Sequence, residues 1–150
     1  LSRDKKCIVV AIDQHKNMVS IVCGNGKPSS KRIKQALENH IEPGSTIVHD
    51  GERAHSGLIK KLKCNEELYK ANTNDTDYLQ AMQLVNNLCG WLKRYLYKFM
   101  GLKMKNLQSY LNWFVYLFRV KRDREKWPES IRVLRHLLLA NTRFTRLTAI

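Results

Sequence analysis

Seven apolar residues, Tyr78, Met82, Val85, Cys89, Leu92, Leu96 and Phe99, follow one another in alternating steps of four and three. On a helix of 3.6 residues per turn they make one continuous stripe, roughly six turns long. A stripe of that length has to be covered, so the chain must supply a layer for it to lie against. Gly101 closes the segment. Leu107 to Phe118 is so dense in Tyr, Trp, Phe and Leu that it predicts a helix packed on more than one side. The charge run Arg119 to Lys126 follows. Pro128 then opens a last short helix over Ile131–Leu139.

The first half offers the covering layer. Cys7-Ile-Val-Val-Ala-Ile12 reads as a strand buried on both faces. Asp13-Gln-His-Lys-Asn17 is turn material and Met18–Cys23 a second strand, which predicts a hairpin ended by Gly24-Asn-Gly26. Pro28-Ser-Ser30 supplies helix-start chemistry, and Ile33, Leu37 and Ile41 space an amphipathic helix. After the Pro43-Gly44 turn, Thr46-Ile47-Val48 runs into His49-Asp50-Gly51 and a basic, helix-like segment. Lys63 to Asp77 is polar and irregular, with Asn72-Thr-Asn-Asp75 as its loop. The order is β-β-α-β followed by helices, an α/β chain without internal repeats.

Charge narrows the partners. Twenty-seven Lys and Arg against 13 Asp and Glu leave a net +14 over 150 residues. With 43% hydrophobic residues the chain is no disordered basic tail. A folded domain so basic points to a polyanion, nucleic acid first, against the plainer reading of a basic surface without a dedicated ligand. Cys7, Cys23, Cys64 and Cys89 are scattered, with no CxxC pair and no zinc spacing, which fits a reducing compartment. No apolar run reaches the roughly 18 residues that span a bilayer, and LSRDKK is not a signal peptide. The chain opens without Met directly into a strand, as a piece of something longer would.

Asp50 ends a strand where α/β folds place ligands, and Gly51 lets the backbone turn sharply there. Asp-Gly is also a common turn, and on Asp50 alone the two readings stand level. On the long helix, Asn86 and Lys93 are seven apart, about 700° of rotation, so they share a face with Gly90 between them and Tyr97 extending the row. A mid-helix glycine costs roughly 1 kcal/mol relative to Ala, and here it leaves a flat spot for a phosphate backbone. The plain alternative is a solvated face with a tolerated glycine. The five histidines, His15, His40, His49, His55 and His136, show no metal spacing with the cysteines. His49 is expected to be a hydrogen-bonded structural residue rather than an orienter of Asp50. Trp91, Trp113, Phe114, Tyr116 and Phe118 read as core packing or a dimer contact before base stacking. Lys103, Lys105, Arg119, Lys121, Arg122 and Arg124 are candidate phosphate contacts. Lys31, Arg32 and Lys34 oppose a helix dipole.

Taken together, IVHDGERAH, VNNLCGWLK and NLQSYLNWFVYLFRVKR resemble the catalytic domain of insertion-sequence transposases of the DDE superfamily, in the branch with Asn at the third acidic position. The resemblance runs over Cys7 to Arg122. It implies a ribonuclease-H-like mixed sheet with flanking helices, residues 1–122 as the catalytic domain and 123–150 as a basic helical extension. It implies that Asp50 is the second metal-binding carboxylate and Asn86 a neutral third ligand, with Asn87 its neighbouring competitor, and that Lys93 contacts the DNA end. It further implies Mg²⁺ or Mn²⁺, DNA ends and target as partners, at least a dimer, no membrane, and a cytoplasmic, nucleoid-associated place in a bacterial cell. DNA contacts would come from Lys93, Tyr97, Lys103, Lys105, Arg119, Lys121 and Arg122.

The first acid is the difficulty. The fold implied has three strands before its first helix, and only two are visible here. The first strand and its Asp are therefore expected upstream of Leu1, with Asp13 in the hairpin turn as the alternative. Such a chain would be inactive or nearly so alone. The rival reading is a non-catalytic DNA-binding remnant of a transposase. A basic RNA-binding domain ranks last, since it leaves Asp50, Asn86 and Lys93 unexplained.

Overall fold

The computed structural model describes residues 4–123 and 127–139. Arg124 lies outside them. Contacts divide the chain into two compact units, Leu1–Val115 and Tyr116–Ile150.

In the first unit, β1 (Lys6–Ile12) and β2 (Met18–Asn25) form the expected antiparallel hairpin, with Val9 opposite Ile21 and an irregularity between Cys7 and Ile8. α1 (Ser30–Leu37) follows, then β3 (Thr46–His49), a 3-10 turn (Arg53–His55) and α2 (Ser56–Leu62). α1 is shorter than the spacing through Ile41 suggested: it ends at Leu37, and Ile41 packs against the core from beyond it. Ile33 and Leu37 of α1 meet Val9 and Cys23 of the hairpin and Ala54, Leu58 and Leu62 of the following segment in one core. Leu58 is wholly buried.

One strand was not expected. Asn65–Leu68, β4, pairs parallel with β3, Thr46 opposite Asn65 and His49 opposite Leu68, with α2 as the crossover. The irregular stretch foreseen over Lys63–Asp77 is thus partly strand, while Asn72–Asp75 is the turn anticipated. Every residue of β4 is exposed, so it carries no apolar signature. The strands form two separate pairs, β1-β2 and β3-β4, rather than one mixed sheet among the described residues.

α3 (Thr76–Tyr97) is capped by Asp75, whose carboxylate accepts from the Asp77 N–H at 3.0 Å. It packs against β1 and β3. Its buried line is Met82, Leu88 and Leu92, with Val85, Cys89, Leu96 and Phe99 partly buried beside it. Leu88, wholly buried, is the residue the four-three spacing passed over. A second 3-10 turn, Met104–Asn106, leads into α4 (Leu107–Arg122), where only positions 109, 112 and 119 between Leu107 and Val120 are exposed. That helix is packed on more than one side, as its composition predicts. Gln108 ties it to the hairpin, donating to the Ser20 carbonyl at 3.0 Å and accepting from the Val22 N–H at 2.9 Å.

In the second unit, α5 (Glu129–Leu139) is held by Arg132, which donates to the Val120 and Asp123 carbonyls at 2.8 and 2.6 Å. The rings of Tyr116 and His136 lie 4.5 Å apart.

Candidate metal corner at the end of strand β3

Strand β3 ends in a corner shaped by three features of the sequence. Ladder pairing with β4 carries the strand to His49, and the Tyr69 N–H closes it on the His49 carbonyl at 3.0 Å. Gly51 then takes φ +90, the left-handed region open to glycine, and turns the chain just past Asp50. Finally Gly57 lets α2 approach α1: its N–H donates to Ser30 Oγ at 3.1 Å, and a Cβ there would stand 2.2 Å from that oxygen. The result folds His55 back toward His49.

His49 is buried and held from both sides. The Gly51 N–H donates to its Nδ1 at 3.1 Å, which fixes the proton on Nε2, and Nε2 donates to Glu66 Oε1 on β4 at 2.9 Å. This is the structural, hydrogen-bonded His expected from the sequence, and through Gly51 it also braces the turn that presents Asp50. Asp50 itself is exposed, with the Glu52 N–H 3.4 Å from its Oδ1. The His55 ring is partly buried, 5.1 Å from that of His49. Burial, seconded by His49, holds the His55 pKa below its usual value, while Asp50 and Glu52 pull it the other way. One ligand atom from each of His49, Asp50 and His55 lies within 4.8 Å of the others. The histidines showed no spacing to suggest this. His55 lies six positions after His49, and only the Gly51 turn and the 3-10 turn bring them together. Glu66 was missed with its strand.

The remaining candidates lie elsewhere. Asn86, Asn87 and Lys93 are on α3, the helix that touches β3, and all three are exposed. No hydrogen bond or ion pair joins Asp50 to Asn86 or Lys93 among the described residues. Burial pushes the Cys89 thiol up, with the Lys93 ammonium one turn away acting against it. A Cβ at Gly90 would meet nothing within 4 Å, so the flat spot is open. Tyr97 is 81% exposed at the helix end. Asp13 occupies the β1-β2 turn, both carboxylate oxygens accepting from Asn17, its N–H and its side-chain amide, at 2.7 Å. Lys103 and Lys105 are exposed before α4. Arg119 and Lys121 are exposed on its last turns, and Arg122 Nε donates to Asp123 at 2.6 Å.

A profile of the ISXO2-like transposase domain matches residues 2–119, from ahead of β1 through most of α4. The chain belongs to this family. No curated protein and no solved structure matches it. The ISXO2-like domain is a DDE transposase domain, and enzymes of that kind generally use a divalent metal ion. The corner at Asp50 fits such an ion, because a carboxylate and two imidazoles converge there. Among the described residues no helix is long and apolar enough to cross a membrane.

Proposed function

We propose that this ISXO2-like domain carries out metal-dependent phosphoryl transfer on DNA, cutting strands at insertion-sequence ends and joining them to a target. The observation that supports it best is the exposed Asp50 at the end of β3, on a glycine turn, beside two imidazoles and next to the helix that bears Asn86 and Lys93. Asp50 holds the metal as the second carboxylate of the DDE set and Asn86 supplies a neutral oxygen. Lys93 pairs with a phosphate of the DNA end, beside the open surface at Gly90. When bound there, divalent ions stabilise the charge on the attacking and leaving oxygens of an in-line displacement at phosphorus. Lys103, Lys105, Arg119, Lys121 and Arg122 add sequence-independent phosphate contacts within a chain of net charge +14.

The architecture proposed is ribonuclease-H-like. In its support, β1 and β3 each have a ladder partner on one side only among the described residues, and both touch α3. An apolar strand such as β1 with an open edge invites another strand, and one bearing an acid would complete the metal set. A second reading, a non-catalytic DNA-binding remnant, is favoured by one fact: Asp50 is the only carboxylate of the three-residue group, since Glu66 is engaged by His49.

The test is Mn²⁺- or Mg²⁺-dependent nicking of labelled duplex DNA by this chain and by a version extended at its N-terminus. Nicking abolished by Asp50→Ala is the expected result, in the extended version if not in both. Nicking that survives Asp50→Ala and is lost with Asp13→Ala would move the site to the hairpin turn. No nicking in either version, with salt-sensitive DNA binding intact, would establish the remnant.

A further inference from the structure

The donor set at the β3 corner says which ion belongs there. A site for Mg²⁺ alone is built from hard oxygens and retained waters. Here two imidazole rings, His49 and His55, stand with Asp50, all three ligand atoms within 4.8 Å. Imidazole suits Zn²⁺, Cu²⁺, Fe²⁺ or Ni²⁺, whereas carboxylate, carbonyl and water oxygens suit Mg²⁺. The surroundings repeat a metal-site pattern: a ligating His commonly donates its other ring N–H to a carboxylate, which fixes the tautomer and the ring plane. His49 does so, Nε2 to Glu66 at 2.9 Å, which leaves Nδ1 as its lone-pair nitrogen. The Gly51 N–H now occupies Nδ1 at 3.1 Å, and an ion bound there replaces that bond while the Glu66 contact stays. The ring nitrogens of His55 make no hydrogen bond among the described residues, and the ring lies partly buried, 5.1 Å from that of His49.

We propose that His49, Asp50 and His55 form one binding site for a divalent transition-metal ion, with Glu66 orienting His49 from behind. The inference rests on the reading of Asp50 as a metal ligand and adds two ligands and a metal class to it. His55 ligates, Glu66 positions, and Mg²⁺ is the weaker occupant.

Optical titration of the 150-residue chain with Co²⁺ tests this. Cobalt reports its own ligands: imidazole and carboxylate give visible d–d bands alone, whereas thiolates of the four cysteines would add intense sulfur-to-metal charge transfer. The expected result is one equivalent of Co²⁺ with d–d bands only, displaced by Zn²⁺ and unmoved by a large excess of Mg²⁺. Asp50→Asn and His55→Ala should each weaken binding at least tenfold, and Glu66→Gln by about 10–100-fold. His15→Ala, in the hairpin turn and outside the three-residue cluster, should leave it unchanged. Far-UV circular dichroism with unchanged thermal midpoints separates ligand loss from unfolding, and His55→Gln serves if His55→Ala fails to fold. Charge-transfer absorption, displacement by Mg²⁺, or an identical titration without His55 would overturn the proposal. The two readings fail separately. Co²⁺ bound through His55 by a protein that cuts no DNA would overturn the nuclease and leave the site standing. DNA cutting with Mg²⁺ and a titration indifferent to His55 would do the reverse.

Discussion

Single residues decide how this chain reaches its corner. Gly57 accepts no side chain, because Ser30 Oγ occupies the space and bonds its N–H. Gly51 supplies the φ of +90 that turns the chain after Asp50. Cys23 shows the opposite kind of constraint, a titratable group shut into apolar surroundings. Its Sγ is 3.1 Å from that of Cys7, and burial first, then the neighbouring thiol, pushes its pKa from 9.0 to about 12. In the folded chain Cys23 keeps its proton where the unfolded chain has lost it. Its contribution to stability is therefore complete below pH 9 and is lost as pH rises toward about 12. Urea midpoints of wild type and Cys23→Ala should draw together as pH is raised above 9. A difference between them that does not change with pH would show the thiol to be titrating normally.

At the scale of elements, what could be read from the sequence was whatever carried a period or a punctuating residue. The hairpin, α1, β3, the long α3 and the aromatic α4 all announced themselves by apolar spacing, Gly or Pro. β4 did not, because Asn65-Glu-Glu-Leu68 is exposed throughout and is a strand only by its pairing with β3. The site was legible to the same degree. Asp50 stood out at the end of an apolar strand, whereas His55 and Glu66 join it through a 3-10 turn and a polar strand that no periodicity reveals. Within α3 the four-three spacing found the right face and missed its centre, Leu88, which lies between Val85 and Leu92 on that face. Leu88→Ala should destabilise the fold by about 2–5 kcal/mol, the cost of a buried leucine cavity. Leu79→Ala, at a position 45% exposed on the same helix, should cost well under half as much. Equal shifts of the denaturation midpoint for the two variants would mean that α3 packs by a different face.

For the whole molecule, a net charge of +14 attracts polyanions without specifying a site, so DNA binding alone says little about where chemistry occurs. Chemistry depends on whether separated stretches converge: the β3 corner at 49–55, β4 with Glu66, and α3 with Asn86. α3 and β3 touch, which makes convergence geometrically available. The most direct measurement is Mn²⁺-induced broadening of backbone amide signals in the nuclear magnetic resonance spectrum of the chain. Substoichiometric Mn²⁺ should broaden the signals of Asp50, Gly51 and His55 first, then those of Glu66 and Asn86, with Asp13 unaffected. Broadening centred on Asp13, or spread evenly over the surface carboxylates, would contradict a metal centre at Asp50.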